Sequence, residues 1–154
     1  MLRSLLSILR KDERIEGAPV DLAEEGRSSS DSYQTVWYGI YLHETHSRIG
    51  YIDLRLGHND ELYYAGNIGY HIYPRYRGHS YAYEAARLLL HEAHERFGMD
   101  EVIITCSPEN IPSRKTLDRL GGELLEITDV PAWHWLYQRG ETVKRIYRFD
   151  LTDR

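Results

Sequence analysis

The run Tyr70-His-Ile-Tyr-Pro-Arg-Tyr-Arg-Gly-His-Ser-Tyr-Ala82 gathers the residues of this chain best placed to do chemistry. A strand-like segment passes there through a small-residue turn directly into the helix-patterned stretch from Tyr83 to Phe97. The first-turn N–H groups of a helix have no partner inside the helix, and the helix dipole favours negative charge beside them. A strand, a turn and a helix start in this order therefore predict an anion site, and the expected ligand is phosphorylated.

The spacing narrows that ligand. Arg77-Gly78-His79-Ser80-Tyr81-Ala82 does not fit a P-loop, which needs Gly-Lys-Ser/Thr after four intervening residues, and it lacks the three glycines of the dinucleotide fingerprint. It resembles the pyrophosphate loop of the GCN5-related N-acetyltransferases (GNAT), a pattern of Arg or Gln, two residues, Gly, one residue, then Gly or Ala. Arg77 and Ala82 fit this pattern, and Ser80 stands where the family usually has Gly. Downstream, the stretch from Val102 to Gly122 resembles the family's next strand, its Asn-x-x-Ser/Ala signature and the helix after it. Asn110 and Ser113 match the signature, and Gly121 matches the Gly that ends the helix. The two motifs at their expected separation are more specific than either alone.

The resemblance covers about residues 36–150. It is closest to bacterial members in which Asn-Ile-x-Ser-Arg-Lys precedes Gly-Gly, and to ribosomal-protein N-terminal acetyltransferases in the Tyr-Ala-x-Glu-Ala portion. It implies acetyl-CoA as co-substrate and direct attack of an amine on the thioester. By the same resemblance Arg77, Gly78, His79, Ser80, Tyr81 and Ala82 hold the pyrophosphate. Tyr70, His71 and Ile72 then line the pantetheine and thioester, with Asn110 and Ser113 along the pantetheine arm. The acceptor it implies is a small-molecule or peptide amine, and a homodimer is left open. Many members carry a tyrosine seven residues after the signature Asn as acid for the departing thiolate, and Leu117 stands there. Another hydroxyl such as Tyr73 or Ser113 takes that role, or the thiolate leaves unassisted, since a thiol pKa near about 8.5 is already moderate. The second alternative is preferred.

An amine must lose its proton before it attacks, so a base or a water relay is needed. Glu84 and His71 are the candidate bases, each with a plain competitor. A carboxylate in a first helical turn is favoured by the dipole anyway, and a strand histidine is often merely half-buried. His91-Glu92-Ala93-His94-Glu95 misses the zincin spacing, because Glu95 stands where the second His belongs, so a solvated helix face is the expectation and no metal is assigned. Among 13 tyrosines, the cluster Trp133-His134-Trp135-Leu136-Tyr137 either packs on the core or borders the acceptor.

The elements that must position these groups follow from length and pattern. A chain of 154 residues with 42% hydrophobic and 28% charged residues reads as one soluble domain with a core of ordinary size. No apolar run approaches a membrane span. The formal charge of −5 argues against a general nucleic-acid binder. The single cysteine, Cys106, cannot form an internal disulfide, so a reducing, cytoplasmic setting is expected, with the thiol packed rather than nucleophilic. Apolar residues at 2, 5, 6 and 9 have helical spacing and predict a docking or dimer-facing helix rather than a signal peptide.

Residues 12–34 are polar with little periodicity and read as a loop, so the family's first strand and first two helices are not clear in residues 1–35, an atypical N-terminal portion. Strands are expected at 35–42, 48–56 and 66–73 as a meander, then a helix from Ala82 to Phe97 ended by Gly98. A strand at 102–106 should lie parallel to 66–73 after the helical crossover. A helix capped at Asn110 or Ile111 with Pro112 in its first turn follows, and 123–128 with 143–151 close an antiparallel pair. The predicted fold class is α+β, a mixed but mostly antiparallel sheet flanked by helices.

Overall fold

A computed structural model describes residues 14–152, so the helical spacing at positions 2 to 9 lies outside the described residues. Four strands form an antiparallel meander: β1 (Val20–Ser29), β2 (Gln34–Leu42), β3 (Arg48–Leu56) and β4 (Ile68–Ile72), in that spatial order. The second and third are rich in β-branched and aromatic residues, and Val36, Tyr38 and Ile40 turn one face wholly inward. Tyr41 pairs with Arg48 across the tight turn that follows.

The first strand corrects the loop expected at 12–34. Only Val20 and Leu22 contribute fully buried apolar side chains there. The strand continues as a polar edge, held by its ladder to β2 with a bulge between Glu24 and Gly26. Two apolar positions are too few for alternation to register in sequence, because the pairing partner supplies the rest of the stabilisation.

Between the expected strands β3 and β4 lies a short helix, α1 (Asp60–Ala65). Asn59 starts it by accepting the Leu62 N–H at 2.8 Å, and Asp60 and Glu61 place negative charge in the first turn. After β4, a 3-10 turn at Pro74–Tyr76 leads to α2 (Tyr81–Glu95). Ala85, Ala86, Leu89, Leu90 and Ala93 form the stripe that α2 buries against the meander. Burial of each leucine contributes roughly 2 kcal/mol.

A second sheet holds β5 (Glu101–Cys106), β6 (Glu123–Asp129) and β7 (Val143–Asp150), with β7 in the centre and both pairings antiparallel. The helix α3 (Ile111–Arg119) connects β5 to β6, and α4 (Trp135–Gln138) precedes β7. The expected α+β class with mostly antiparallel strands is what the chain adopts. The strands β4 and β5, expected side by side after the helical crossover, belong to separate sheets and share no ladder. Main-chain contact survives where Asn67 N–H meets the Ile103 carbonyl at 2.6 Å, and beyond it a wedge opens between the sheets.

Candidate acyl-CoA site

The turn from β4 into α2 has two left-handed residues, Gly78 with φ 88° and Ser80 with φ 61°. Positive φ at alternating positions curls a chain so that successive N–H groups converge on one side, which suits an anion. A Cβ at Gly78 would meet nothing within 4 Å, so the outer side of the turn is open. Ser80 occupies the start of α2, yet its hydroxyl makes no capping hydrogen bond, and the left-handed conformation costs a non-glycine residue roughly 1 kcal/mol. That conformation explains why glycine is usual in the resembling motif at this place. Arg77 ties the turn down, donating from Nε to the Ile72 carbonyl at 2.9 Å, and His79 stacks on Tyr81 with centroids 5.3 Å apart. Ala82 follows in the first turn of α2.

One cation beside this turn was not singled out in sequence. The Arg119 guanidinium lies 3.8 Å from the Tyr83 ring centroid, so the end of α3 brings positive charge against the start of α2. In sequence Arg119 reads as an ordinary basic residue in a last helical turn. Only the packing of the two helices brings it near the loop.

The second motif is built differently. Asn110 caps α3, its Oδ1 accepting the Ser113 N–H at 3.2 Å, with Pro112 in the first turn where a missing N–H leaves nothing unsatisfied. The Ser113 hydroxyl accepts from the Tyr70 hydroxyl at 3.1 Å, a bridge from β4 across the wedge to α3. Burial pushes the Tyr70 phenol above its ordinary pKa, and the Ser113 hydroxyl acts in the opposite sense. Leu117 is fully buried in the core, so the position where the resemblance would seek a phenol carries packing instead.

Alternation along β4 separates the remaining candidates. Tyr70 faces the core and α3, whereas His71 lies on the other face, stacked on Tyr51 at 5.3 Å with Tyr73 6.0 Å away. The Tyr73 hydroxyl accepts from Arg48 Nη1, and Arg48 Nη2 in turn binds Glu25 at 2.6 Å. Glu84 stands apart from both rings, in the first turn of α2, paired with Arg87 at 3.2 Å. Ile72 ends β4 with its carbonyl already committed to Arg77. The structure thus joins Tyr70 to Ser113 and sets residues 77–82 at the start of α2, while Glu84 pairs with Arg87 rather than with His71 or Tyr73.

Other conspicuous groups have structural partners. Burial raises the Cys106 thiol above its ordinary pKa, as a packed thiol requires. His94 Nδ1 bonds the Met99 carbonyl at 2.9 Å, and among the described residues no three His, Cys, Asp or Glu side chains gather as a metal site would need. His134 is fully buried, accepting the Leu136 N–H at Nδ1 and donating from Nε2 to the Glu61 carbonyl at 2.8 Å. It fastens the segment before α4 to α1, while Trp133 beside it is 62% exposed.

Comparison with known proteins gives the family and supports the fold. Residues 9–123 match the family model described as an acetyltransferase (GNAT) domain, and the chain belongs to that family. The match starts earlier than the resemblance seen from the motifs, taking in β1, and ends at the start of β6. A curated relative, described as the uncharacterized N-acetyltransferase YnaD of Bacillus subtilis, is 34% identical over 73 residues, covering 45% of this chain and 43% of the relative. The aligned region is therefore less than half of that relative's length. The ribosomal-protein-S5-alanine acetyltransferase structure from Vibrio fischeri superposes with a TM-score of 0.62 at 18% identity, over 77% of this chain and 63% of that one. A microcin C7 self-immunity acetyltransferase solved with acetyl-CoA and AMP gives 0.54 at 18% identity, over 75% and 61%. At such identity the structural likeness speaks for the fold.

Proposed function

We propose that the protein is an acetyl-CoA-dependent N-acetyltransferase that moves an acetyl group to a primary amine by direct attack in a ternary complex. The observation that carries this reading is the start of α2: a turn with two left-handed residues, no side-chain cap, an open outer side, and a wedge between β4 and β5 leading away from it. The residues fit an acyl-CoA chemically. The N–H groups of residues 78–82 take the diphosphate, and Arg119 adds a charge beside it. Tyr70, Asn110 and Ser113 flank the pantetheine arm in the wedge.

Acetyl-CoA supplies an acyl carbon activated as a thioester. The residues of this chain then have three tasks. N–H groups on the wedge side of β4 at 70–72, facing no ladder partner, stabilise the carbonyl oxygen as it gains charge. Glu84 and His71 are the groups proposed to receive the amine proton, directly or through water, Tyr73 is a hydroxyl able to return a proton to the thiolate, and the ring cluster of His71 and Tyr73 with Tyr51 gives a cationic amine π faces to rest on. With Leu117 in the core, the departing thiolate leaves without a phenol on α3.

The acceptor proposed is a small-molecule or peptide amine, and the lone buried thiol favours a cytoplasmic setting. The test is thiol release from acetyl-CoA across a panel of polyamines, amino acids, aminoglycosides and peptides. Release that depends on one acceptor class supports the transferase. Tight CoA binding with no release across the panel would instead favour a non-catalytic acyl-CoA-binding module, the reading that Leu117 motivates.

A further inference from the structure

The wedge has a closed end, and one residue dominates it. Asn67 is wholly buried between α1 and β4. Its Nδ2 donates to the Arg55 and Gly57 carbonyls, each at 2.8 Å, and its Oδ1 accepts the Ile103 N–H at 2.8 Å. Its own N–H donates to the Ile103 carbonyl at 2.6 Å, and its carbonyl accepts the Arg55 N–H at 2.6 Å. A single side chain and its peptide therefore join β3, the start of β4 and β5.

The neighbouring residue shows how close that approach is. Gly66 has φ 84°, and a Cβ there would stand 3.2 Å from Thr105 N and 3.3 Å from the Ile103 carbonyl oxygen. Thr105 Oγ1 also donates to the Tyr64 carbonyl at 2.8 Å, and Arg55 Nη1 holds the Ala65 and Gly66 carbonyls at 3.1 and 3.2 Å while its Nε binds Asp53 at 2.9 Å. Past this clasp β4 and β5 share no ladder, and the Tyr70 to Ser113 hydroxyl bridge spans the open end from β4 to α3.

We propose that Asn67 is a positioning residue whose side chain clamps β4 to β5 at the closed end of the wedge and so sets the gap that receives the acyl-pantetheine arm. This rests on the acyl-CoA reading above. The diphosphate loop lies at the other end of β4 and does not depend on the clasp. Losing the amide of Asn67 should free Arg55 O, Gly57 O and the Ile103 N–H from their shared partner, and the wedge loses its fixed width. The arm then loses affinity while the phosphates keep theirs.

The test compares two ligands on the full chain: CoA, and 3′-phospho-ADP, which keeps the diphosphate and lacks the arm. Asn67→Ala should weaken CoA about tenfold or more by calorimetry, equal to roughly 1.4 kcal/mol, with the Kd of 3′-phospho-ADP changed less than about twofold. Val20→Ala, a core truncation in β1, serves as a matched destabilisation and should leave both Kd values alone. Parallel weakening of the two ligands by Asn67→Ala, or an unchanged CoA affinity, overturns the proposal. If Asn67→Ala fails to fold, Asn67→Leu, close in volume and without the acceptor for the Ile103 N–H, takes its place with the same expected split between CoA and 3′-phospho-ADP. Amide exchange on the unaltered protein adds a check that needs no variant: the Asn67 and Ile103 amides should exchange among the slowest, and loop-like exchange at either contradicts the clasp. Failure of the acyl-CoA reading itself looks different, since the unaltered protein would then bind neither ligand and the positioning role would fall with it.

Discussion

The two long-range motifs of this protein both sit at helix starts, and the two starts are built in opposite ways. At α3, Asn110 accepts the Ser113 N–H and Pro112 supplies the first turn, so the local hydrogen-bonding demand is met from within. At α2, Ser80 is left-handed, offers no capping bond, and leaves the outer side of the turn open. A helix start satisfied by its own chain needs no ligand. One held in an unfavourable backbone conformation with unmet donors is where a fold departs from local consistency, and such departures concentrate at functional sites.

Substitutions can break or sharpen this contrast. The largest effect is expected at the open start, where Ser80→Trp fills the space of the diphosphate and should weaken CoA about tenfold or more, a change of roughly 1.4 kcal/mol. Calorimetry with unchanged affinity would separate the turn from the ligand. At the satisfied start, Asn110→Ala should cost about 1 kcal/mol of folding stability through the lost cap, and Asn110→Asp should restore it. Thermal melts decide this, and equal melting of all three proteins would deny Asn110 its structural role.

A smaller effect of opposite sign comes from Ser80→Gly. Relief of the left-handed strain exceeds the entropy that glycine adds to the unfolded chain, so stability should rise by roughly 0.5 kcal/mol with CoA binding retained. A lower melting temperature would mean that the serine is not strained. The last effect lies away from both helix starts. Burial works against ionisation of Asp21, but the Gly17 N–H, His43 and Arg14 outweigh it and hold the carboxyl below its ordinary pKa. Its contribution to stability is therefore present above the unfolded value of about 3.9 and is lost as pH falls through the folded value. Asp21→Asn should flatten the acid limb of a stability profile and leave CoA affinity unchanged.

The contrast also explains what could be read from the amino acids alone. The α3 start was legible because its signal is local: Asn110, Pro112 and Gly121 specify start and stop within one segment. The apolar stripe of α2 and the paired strands β2 and β3 were legible through periodicity, and the loop at 77–82 through its spacing. The strand β1 was not, because past Leu22 it presents polar side chains and gains its order from the ladder with β2. The short helix α1 was not, because one turn and a half of helix with a single buried residue, Leu62, is too brief for its periodicity to register. The contact that remains between β4 and β5 is made at Asn67, whose partners at Arg55, Gly57 and Ile103 are distant in sequence. Arg119 meets Tyr83 at the start of α2 only through the packing of α3 on α2.

Amide chemical-shift mapping on the labelled full chain with CoA tests the central claim most directly. Binding through the open helix start predicts the largest shifts at the amides of residues 78–82 and along 70–72, with the Asn110 to Ser113 cap amide shifting less. Saturating CoA that leaves 78–82 unmoved, or shifts clustered elsewhere, would contradict it.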